Sequence, residues 1–435
     1  MQIKAFNAYR YNSEVVGNAG DCIAPPYDVI DAGQQQHLYD KNPHNIVRII
    51  QGKKEPADNE SQNVYTRAAD YLEQWIDSGA LKQDADEAIY AYVQNFEIND
   101  ILYQRYSFIA KGKLEDFGTS VLAHEKILNN PIEDRLNLTR ATGCAFGLVF
   151  LLYNDPESVA DKILSKAMNT DCLVDMTDDQ SVRHRLYAVA DIADIKAITD
   201  MMADKTCVVA DGHHRYTTAL VYRDETNDPK TQYQMLVFSN IAHEGLIVLA
   251  THRVLNNLDN FDLAGFVKSL ENDFEVSEYP CPSDQQKTDS LKQMTGRMDT
   301  EFENNNNAFG IYAGGSFYVA VLKNDSAMDQ AALDKSEPWK KLDVAVLHKL
   351  IIEKQLGVDE DMQAKGGYIE YVKDSGDKIN RIIEDVDNKR SQLGLFMNPP
   401  RLEQIEDVAK QGDRMPQKST YFYPKMFTGL TIDKF

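Results

Sequence analysis

Positive charge is scarce in this chain. Its 435 residues carry 46 Lys and Arg against 68 Asp and Glu, a formal net charge of −22 at pH 7. Non-specific affinity for nucleic acid comes from cations that displace counterions from phosphates. The balance therefore argues against a DNA or RNA partner and leaves a local basic pocket as the way to hold an anion. Long apolar runs are missing too. No segment approaches the roughly 18–20 residues of a membrane-spanning helix, and Met1 to Phe6 do not read as the start of a secretion signal. The five cysteines, Cys22, Cys144, Cys172, Cys207 and Cys281, are scattered and show no Cys-x-x-Cys spacing. That pattern excludes a disulfide framework or a thiolate zinc site and predicts reduced thiols in a cytoplasm. Also absent are a Gly-x-x-x-x-Gly-Lys-Ser/Thr loop, a Gly-x-Gly-x-x-Gly after a strand, His-Glu-x-x-His and Gly-x-Ser-x-Gly, so the common nucleotide, zinc-hydrolase and serine-hydrolase readings lose their best evidence. There are no internal repeats and no low-complexity linker.

What is present is an ordinary folding composition, with 43% hydrophobic and 9% aromatic residues, and a length that suits two or three domains. The stretch that organises the rest runs from Cys207 to Leu220. Cys207 to Ala210 are small or apolar and read as a buried strand; Asp211 and Gly212 make a turn. Tyr216, Ala219 and Leu220 then fall at helical spacing, so a helix begins at or just after His213. A strand that feeds a helix through a glycine turn presents unpaired backbone amides above the strand end. His213, His214 and Arg215 sit in that first turn. Cations there oppose the helix dipole by roughly 0.3–1 kcal/mol each, which makes sense around a bound anion. The plain alternative is a pair of histidines that cap and pack.

Taken in order, residues 3–7 and 21–24 read as short strands. Pro25 and Pro26 stiffen the path into Tyr27 and Asp28; Asp28 or Asp31 caps a helix to Asp40. Asn45 to Gln51 reads as a strand that carries Arg48. Glu60 to Ser78 is amphipathic and helical, with Gly79 as its stop. Residues 88–96 and 103–114 alternate around Asn99-Asp100 and predict a β-hairpin. His124-Glu125 follows a short strand, and Asp134, Arg135 and Arg140 lie on a helix. Cys144 to Leu152 is a buried strand and Pro156 to Met168 a helix. Ser181 to Val189 is a strand with His184 and Leu186 on one face and Arg185 and Tyr187 on the other, and Asp191 caps a helix to Ala203. Strands resume at 233–239 and 246–250. Beyond residue 260, helices are expected at 261–274, 283–298, 342–356, 377–386 and 402–410, with a hairpin around Gly314-Gly315 and a strand at 392–397. The tail, Lys418 to Lys425, is aromatic and basic; packing on its own domain is the first expectation, and closure over the pocket, with Lys418 and Lys425 adding charge there, is the alternative.

Nine histidines are present, and three directly precede an arginine: His184-Arg185, His214-Arg215 and His252-Arg253. Pairing of that kind predicts a basic pocket gathered from strand ends inside an acidic protein, the ordinary way to capture a phosphate. The alternative is coincidence plus salt bridges to abundant carboxylates.

Asp211-Gly-His-His-Arg215 between a strand and a helix resembles the phosphate-binding box of the ParB/sulfiredoxin superfamily, which includes partition-protein nucleotide-binding domains, sulfiredoxin and free-serine kinases. Further landmarks, among them Ala24 to Ile30, Asn45 to Arg48, His124-Glu125, Asp134 to Leu136, His184 to Tyr187, Ala210 to Tyr216, Thr251 to Val254 and Lys418 to Pro424, make the whole chain resemble the DUF1015 family. The resemblance implies an α/β (mixed α+β) fold: a ParB/sulfiredoxin-like phosphate-binding core over residues 1–260 and a second α+β region over 261–435. It implies a nucleotide-dependent phosphotransferase acting on a small hydroxyl-bearing metabolite, serine being one example. Gly212, His214 and Arg215 would cradle phosphate with Arg48, Arg135, His184, Arg185, His252 and Arg253 around it. Glu125, Asp28, Asp211 and His213 would supply the reacting groups, and Asp211 or Asp134 would bind Mg²⁺ beside ATP. A ParB-like regulatory module without turnover and an anionic-metabolite binder that uses no nucleotide are the rivals. A homodimer is compatible with each.

Overall fold

The computed structural model describes residues 1–125, 130–374 and 378–435. It divides into two units. The first comprises Met1–Ala123, Ile127–Ile247 and Pro424–Phe435, and the second His124–Lys126 and Val248–Tyr423.

The first unit is built on a nine-stranded mixed sheet. Its order is Val121–Ala123, Cys207–Asp211, Val149–Tyr153, Tyr233–Asn240, Ile101–Lys113, Ile89–Ile98, Arg183–Val189 and Val174–Thr177, with Ile3–Lys4 added to Ile101–Lys113. The long hairpin at its centre forms where the sequence predicts it. Asn99 and Asp100 both adopt positive φ, +50° and +62°, which matches the right-handed twist of the two strands they join. Val93, Phe108, Val149, Val209, Leu236 and Phe238 fill one core. Apolar residues on both faces of Val149–Tyr153 mark a strand covered on both sides.

Helix boundaries follow caps that are visible in the sequence. Asp31 and Asp191 each accept amides of the first turn that follows. Asn63 closes a reciprocal capping box with Thr66 ahead of the helix Val64–Asp77. One expectation is corrected: Asn45 to Gln51 is not a strand but a short helical turn, Val47–Ile50. The Asn45 carboxamide accepts the Val47 amide at 3.0 Å and donates to the carbonyls of Asp21 and Ile23. That local bonding turns the chain where apolar alternation alone reads as extended. Residues 19–21 likewise form a 3₁₀ turn instead of the start of a strand.

The second unit carries a six-stranded antiparallel sheet, ordered Phe274–Pro280, Ser316–Leu322, Ala308–Ala313, Leu393–Phe396, Thr251–Leu255 and Ile369–Lys373. The helix Asp284–Glu303 lays Met294 and Met298 onto it. Gly310 leaves room for them, since a Cβ there would lie 2.7 Å from the Met294 sulfur. The helix expected over 342–356 starts at Asp343 and widens into a π-helical stretch at Leu347–Glu353.

Candidate functional site

The strand Cys207–Asp211, next to the edge strand Val121–Ala123, ends at Asp211, and Gly212 turns the chain with φ +95° into the helix His213–Thr226. That φ is why the box needs glycine. Arg215 folds back over the turn: a Cβ on Gly212 would lie 3.0 Å from its Nε, and one on Gly147 would lie 3.1 Å from its Cδ. Two glycines thus clear the path of one guanidinium. Arg215 donates through Nη1 to the Leu148 carbonyl and lies 3.4 Å from Asp211 Oδ1. Asp211 Oδ2 takes a second cation, Lys425 Nζ, at 2.9 Å. Burial alone would raise the Asp211 carboxyl, but the charges of Lys425 and Arg215 outweigh it and hold the group well below the usual carboxylate range. Asp211 is therefore an ionised anchor between two cations.

Arg215 opens onto a cleft with about 660 Å³ of empty space, its mouth included. Arg135 borders the same cleft, stacked over the Tyr27 ring at 4.0 Å and donating to the Ile50 carbonyl at 2.7 Å. Asp134 receives Arg135 and accepts the Tyr65 hydroxyl at 2.8 Å. Phe146, Ala219, Tyr222 and Phe435 give the cleft apolar walls, and Thr139 and Thr218 add hydroxyls. One cleft thus offers two guanidiniums at one place and aromatic surface at another.

The other predicted residues fall elsewhere. His184 is buried, its Nδ1 2.6 Å from the Tyr92 hydroxyl, its Nε2 3.2 Å from Asp178 and its ring 4.2 Å from Phe427. Burial lowers its pKa in spite of Asp178, so it packs as a neutral imidazole. Arg185 donates to Asn95 at 2.6 Å, and Arg48 donates to the Tyr39 carbonyl at 2.8 Å while stacking on its ring. Neither borders the cleft. His213 is buried at the start of its helix and His214 is half-buried beside it. Asp28 is exposed, next to Tyr27 of the cleft wall. Glu125, His252 and Arg253 belong to the second unit. There Glu125 pairs with Met415 and accepts the Lys418 amide at 3.4 Å, His252 accepts the Met397 amide through Nδ1 at 3.2 Å, and Arg253 donates to the Thr251 carbonyl.

Sequence reasoning missed a row of polar residues in the first sheet. Register sets Gln94 opposite both His184 and Arg105. Arg105 is fully buried, which lowers it to about 10. The last segment of the chain crosses this row: the Pro424 carbonyl accepts Arg105, the Lys425 carbonyl accepts Gln94 at 3.0 Å, and the Phe427 amide reaches the Tyr92 hydroxyl at 3.4 Å. Alternation marks Gln94 and Arg105 only as inward positions occupied by the wrong residue type, which was the available signal.

Mg²⁺ does not fit the carboxylates expected to hold it. Asp211 and Asp134 are already bonded to cations, and among the described residues no group of three or more His, Cys, Asp or Glu is placed to ligate a metal. All five cysteines are free thiols, and among the described residues no helix is long and apolar enough to cross a membrane.

No curated protein matches the sequence. Among solved structures, a free serine kinase variant in complex with AMP is 14% identical, with 73% of this chain and 87% of that one covered and a TM-score of 0.35. A conserved hypothetical protein from Pyrococcus furiosus is 14% identical over 73% of this chain and 91% of its own, with a TM-score of 0.33. SbnI with a C-terminal truncation, from Staphylococcus aureus, is 10% identical over 75% of this chain and 87% of its own, with a TM-score of 0.32. The family model described as a protein of unknown function, DUF1015, matches residues 3–345, and the chain belongs to that family.

Proposed function

We propose that this chain is a nucleotide-dependent phosphotransferase whose acceptor is a small hydroxyl-bearing metabolite. One observation carries the reading: Arg135 and Arg215 border a single cleft that runs along the helix His213–Thr226, within a protein of net charge −22. Each guanidinium has five N–H donors and spends only part of them on protein partners, so both retain donors for phosphate oxygens. Tyr222, Phe146 and Phe435 suit the flat, apolar face of a base.

In this reading Asp211 does not touch phosphate. It orients Arg215, and Arg215 and Arg135 offset the charge that gathers on the transferring group. Asp28 is the carboxylate assigned to take the acceptor's hydroxyl proton, because it follows Tyr27 in the cleft wall. The acceptor oxygen then bonds to the terminal phosphorus as the bond to the leaving diphosphate breaks. No step is assigned to a protein-bound metal.

Calorimetric titration of ADP and ATP into the full chain tests this. Wild type binds, and Arg135→Met and Arg215→Met each weaken binding by about 10–100-fold, the value of a charge-assisted hydrogen bond. Asp28→Asn keeps affinity and loses turnover. A folded wild type that binds inorganic phosphate but no nucleotide overturns the reading and leaves an anionic-metabolite site.

A further inference from the structure

The cleft of the first unit has a length as well as a charge. Burial raises the Tyr27 phenol, and the charges of Arg135 and Arg215 both act against that rise, so the two guanidiniums converge at the Tyr27 end. Arg215, Thr218, Ala219 and Tyr222 border the cleft from one face of the helix His213–Thr226. At a rise of about 1.5 Å per residue, Tyr222 stands roughly 10 Å along the axis from Arg215. The Tyr222 ring lies 5.7 Å from that of Phe435. A ligand that reaches from the cations to the rings therefore carries an anionic head and a flat body joined by a spacer.

One polar side chain in that wall is unused by the protein. Gln234 is 7% exposed and borders the cleft from the start of the strand Tyr233–Asn240. The 2.9 Å contact between the Thr226 and Thr231 hydroxyls ties that start of the strand to the C-terminal end of the helix, the Tyr222 end. No hydrogen bond joins the Gln234 carboxamide to any of the described residues. The hydroxyls of Thr139, Thr218 and Thr231 in the same wall all bond to the chain. Nor is the carboxamide sealed away as the Gln51 oxygen is; it is reached from the cleft. Met235 to Phe238, which follow it, are apolar and buried, so the strand pattern gives no reason for a glutamine. A largely buried donor and acceptor left unmet is costly.

We infer that Gln234 reads the base of the nucleotide, its carboxamide accepting from an exocyclic amine and donating to the adjacent ring nitrogen. This rests on the phosphotransferase reading, which supplies the nucleotide. A carboxamide alone does not choose between purines, because turned over it also matches the carbonyl and N–H of guanine. The rest of the wall chooses. Guanine brings a further amine that needs a second acceptor, and among the described residues no aspartate or glutamate borders the cleft. The cleft selects a 6-aminopurine, and Gln234 determines that specificity.

Calorimetry on the full chain tests this with ADP, GDP, purine riboside diphosphate, which lacks the amine, and pyrophosphate, which lacks the base. Wild type should bind ADP about tenfold or more tighter than GDP and purine riboside diphosphate, the discrimination of one bidentate contact. Gln234→Met is close in shape and lacks the amide; it should weaken ADP to the level of the other two nucleotides and leave pyrophosphate unchanged. The comparison of ADP with purine riboside diphosphate needs no variant, so it stands if Gln234→Met misfolds. ADP bound by wild type no tighter than either other nucleotide, or an ADP preference that survives in folded Gln234→Met, would overturn the role of Gln234 and leave the phosphotransferase reading standing. A wild type that binds no nucleotide, with or without pyrophosphate, would overturn both.

Discussion

Lys425 Nζ lies 2.9 Å from Asp211 Oδ2, although 214 positions separate the two residues. The contact joins the end of the strand Cys207–Asp211 to the last segment of the chain, inside one unit. It fixes the charge state of the box: Asp211 is held between Lys425 and Arg215, and the helix that follows starts from that anchor.

Lys425→Met should destabilise the protein by about 1–3 kcal/mol at pH 7, because it leaves a largely buried carboxylate with a single cation. The pH dependence has a definite sign. Asp211 is depressed in the folded chain, so its contribution is fully present above the ordinary carboxylate value of about 3.9 and is lost as pH falls below it. Urea titrations from pH 5 downward should show a shallower acid loss in Lys425→Met than in wild type. Equal slopes would mean that the pair contributes nothing.

His348, on the π-helical stretch, behaves in the opposite range. Burial and then the charge of Arg253 push it down to about 3. The unfolded chain takes up that proton near pH 6.5 and the folded chain does not, so stability falls as pH drops from about 6.5 towards 3 by up to roughly 1.4 kcal/mol per pH unit. His348→Gln should remove about one proton's worth of that slope. Imidazole resonances followed by NMR should show His348 neutral at pH 5; a charged ring there contradicts the burial argument.

Gly212→Ala should be costly for two separate reasons. Its φ of +95° is strained for any L side chain, and the new Cβ would sit 3.0 Å from Arg215 Nε. A loss of about 1–2 kcal/mol is expected from the backbone alone, together with weaker nucleotide binding as Arg215 is displaced. Thermal denaturation and ADP titration report the two effects independently.

The hairpin turn offers a change in the other direction. Asp100 holds φ +62° at an exposed position. Asp100→Gly converts the turn to the favoured Asn-Gly pair and should stabilise the protein by up to about 1 kcal/mol, the αL strain relieved less the entropy that Gly adds to the unfolded chain. An unchanged or lower denaturation midpoint would show that Asp100 has a partner worth more than the strain.

Local chemistry was legible in the sequence. The Asn99-Asp100 hairpin, the helices capped by Asp31 and Asp191, and the Cys207 strand with its glycine turn all depend on neighbours within a few residues, whose preferences are written into the chain. So was the family, because its landmarks are short strings read in order. Asn45 to Gln51 misled because alternation records only which side chains are apolar, while the Asn45 carboxamide bonds that curl the backbone reach Asp21 and Ile23.

The site was legible only in part. Asp211, Gly212 and Arg215 follow from the box, but Arg135 and Tyr27 join them through packing across the first unit, and Lys425 arrives from the far end of the chain. The three His-Arg pairs looked alike as dipeptides, yet their environments differ because burial is set by tertiary position: His184 became a neutral core imidazole, Arg215 a cleft guanidinium and Arg253 a buried cation of the second unit. Sequence determined which groups carry charge and where the backbone turns. Only the tertiary structure decided which charges meet, because desolvation and pairing act between residues that share space and not sequence.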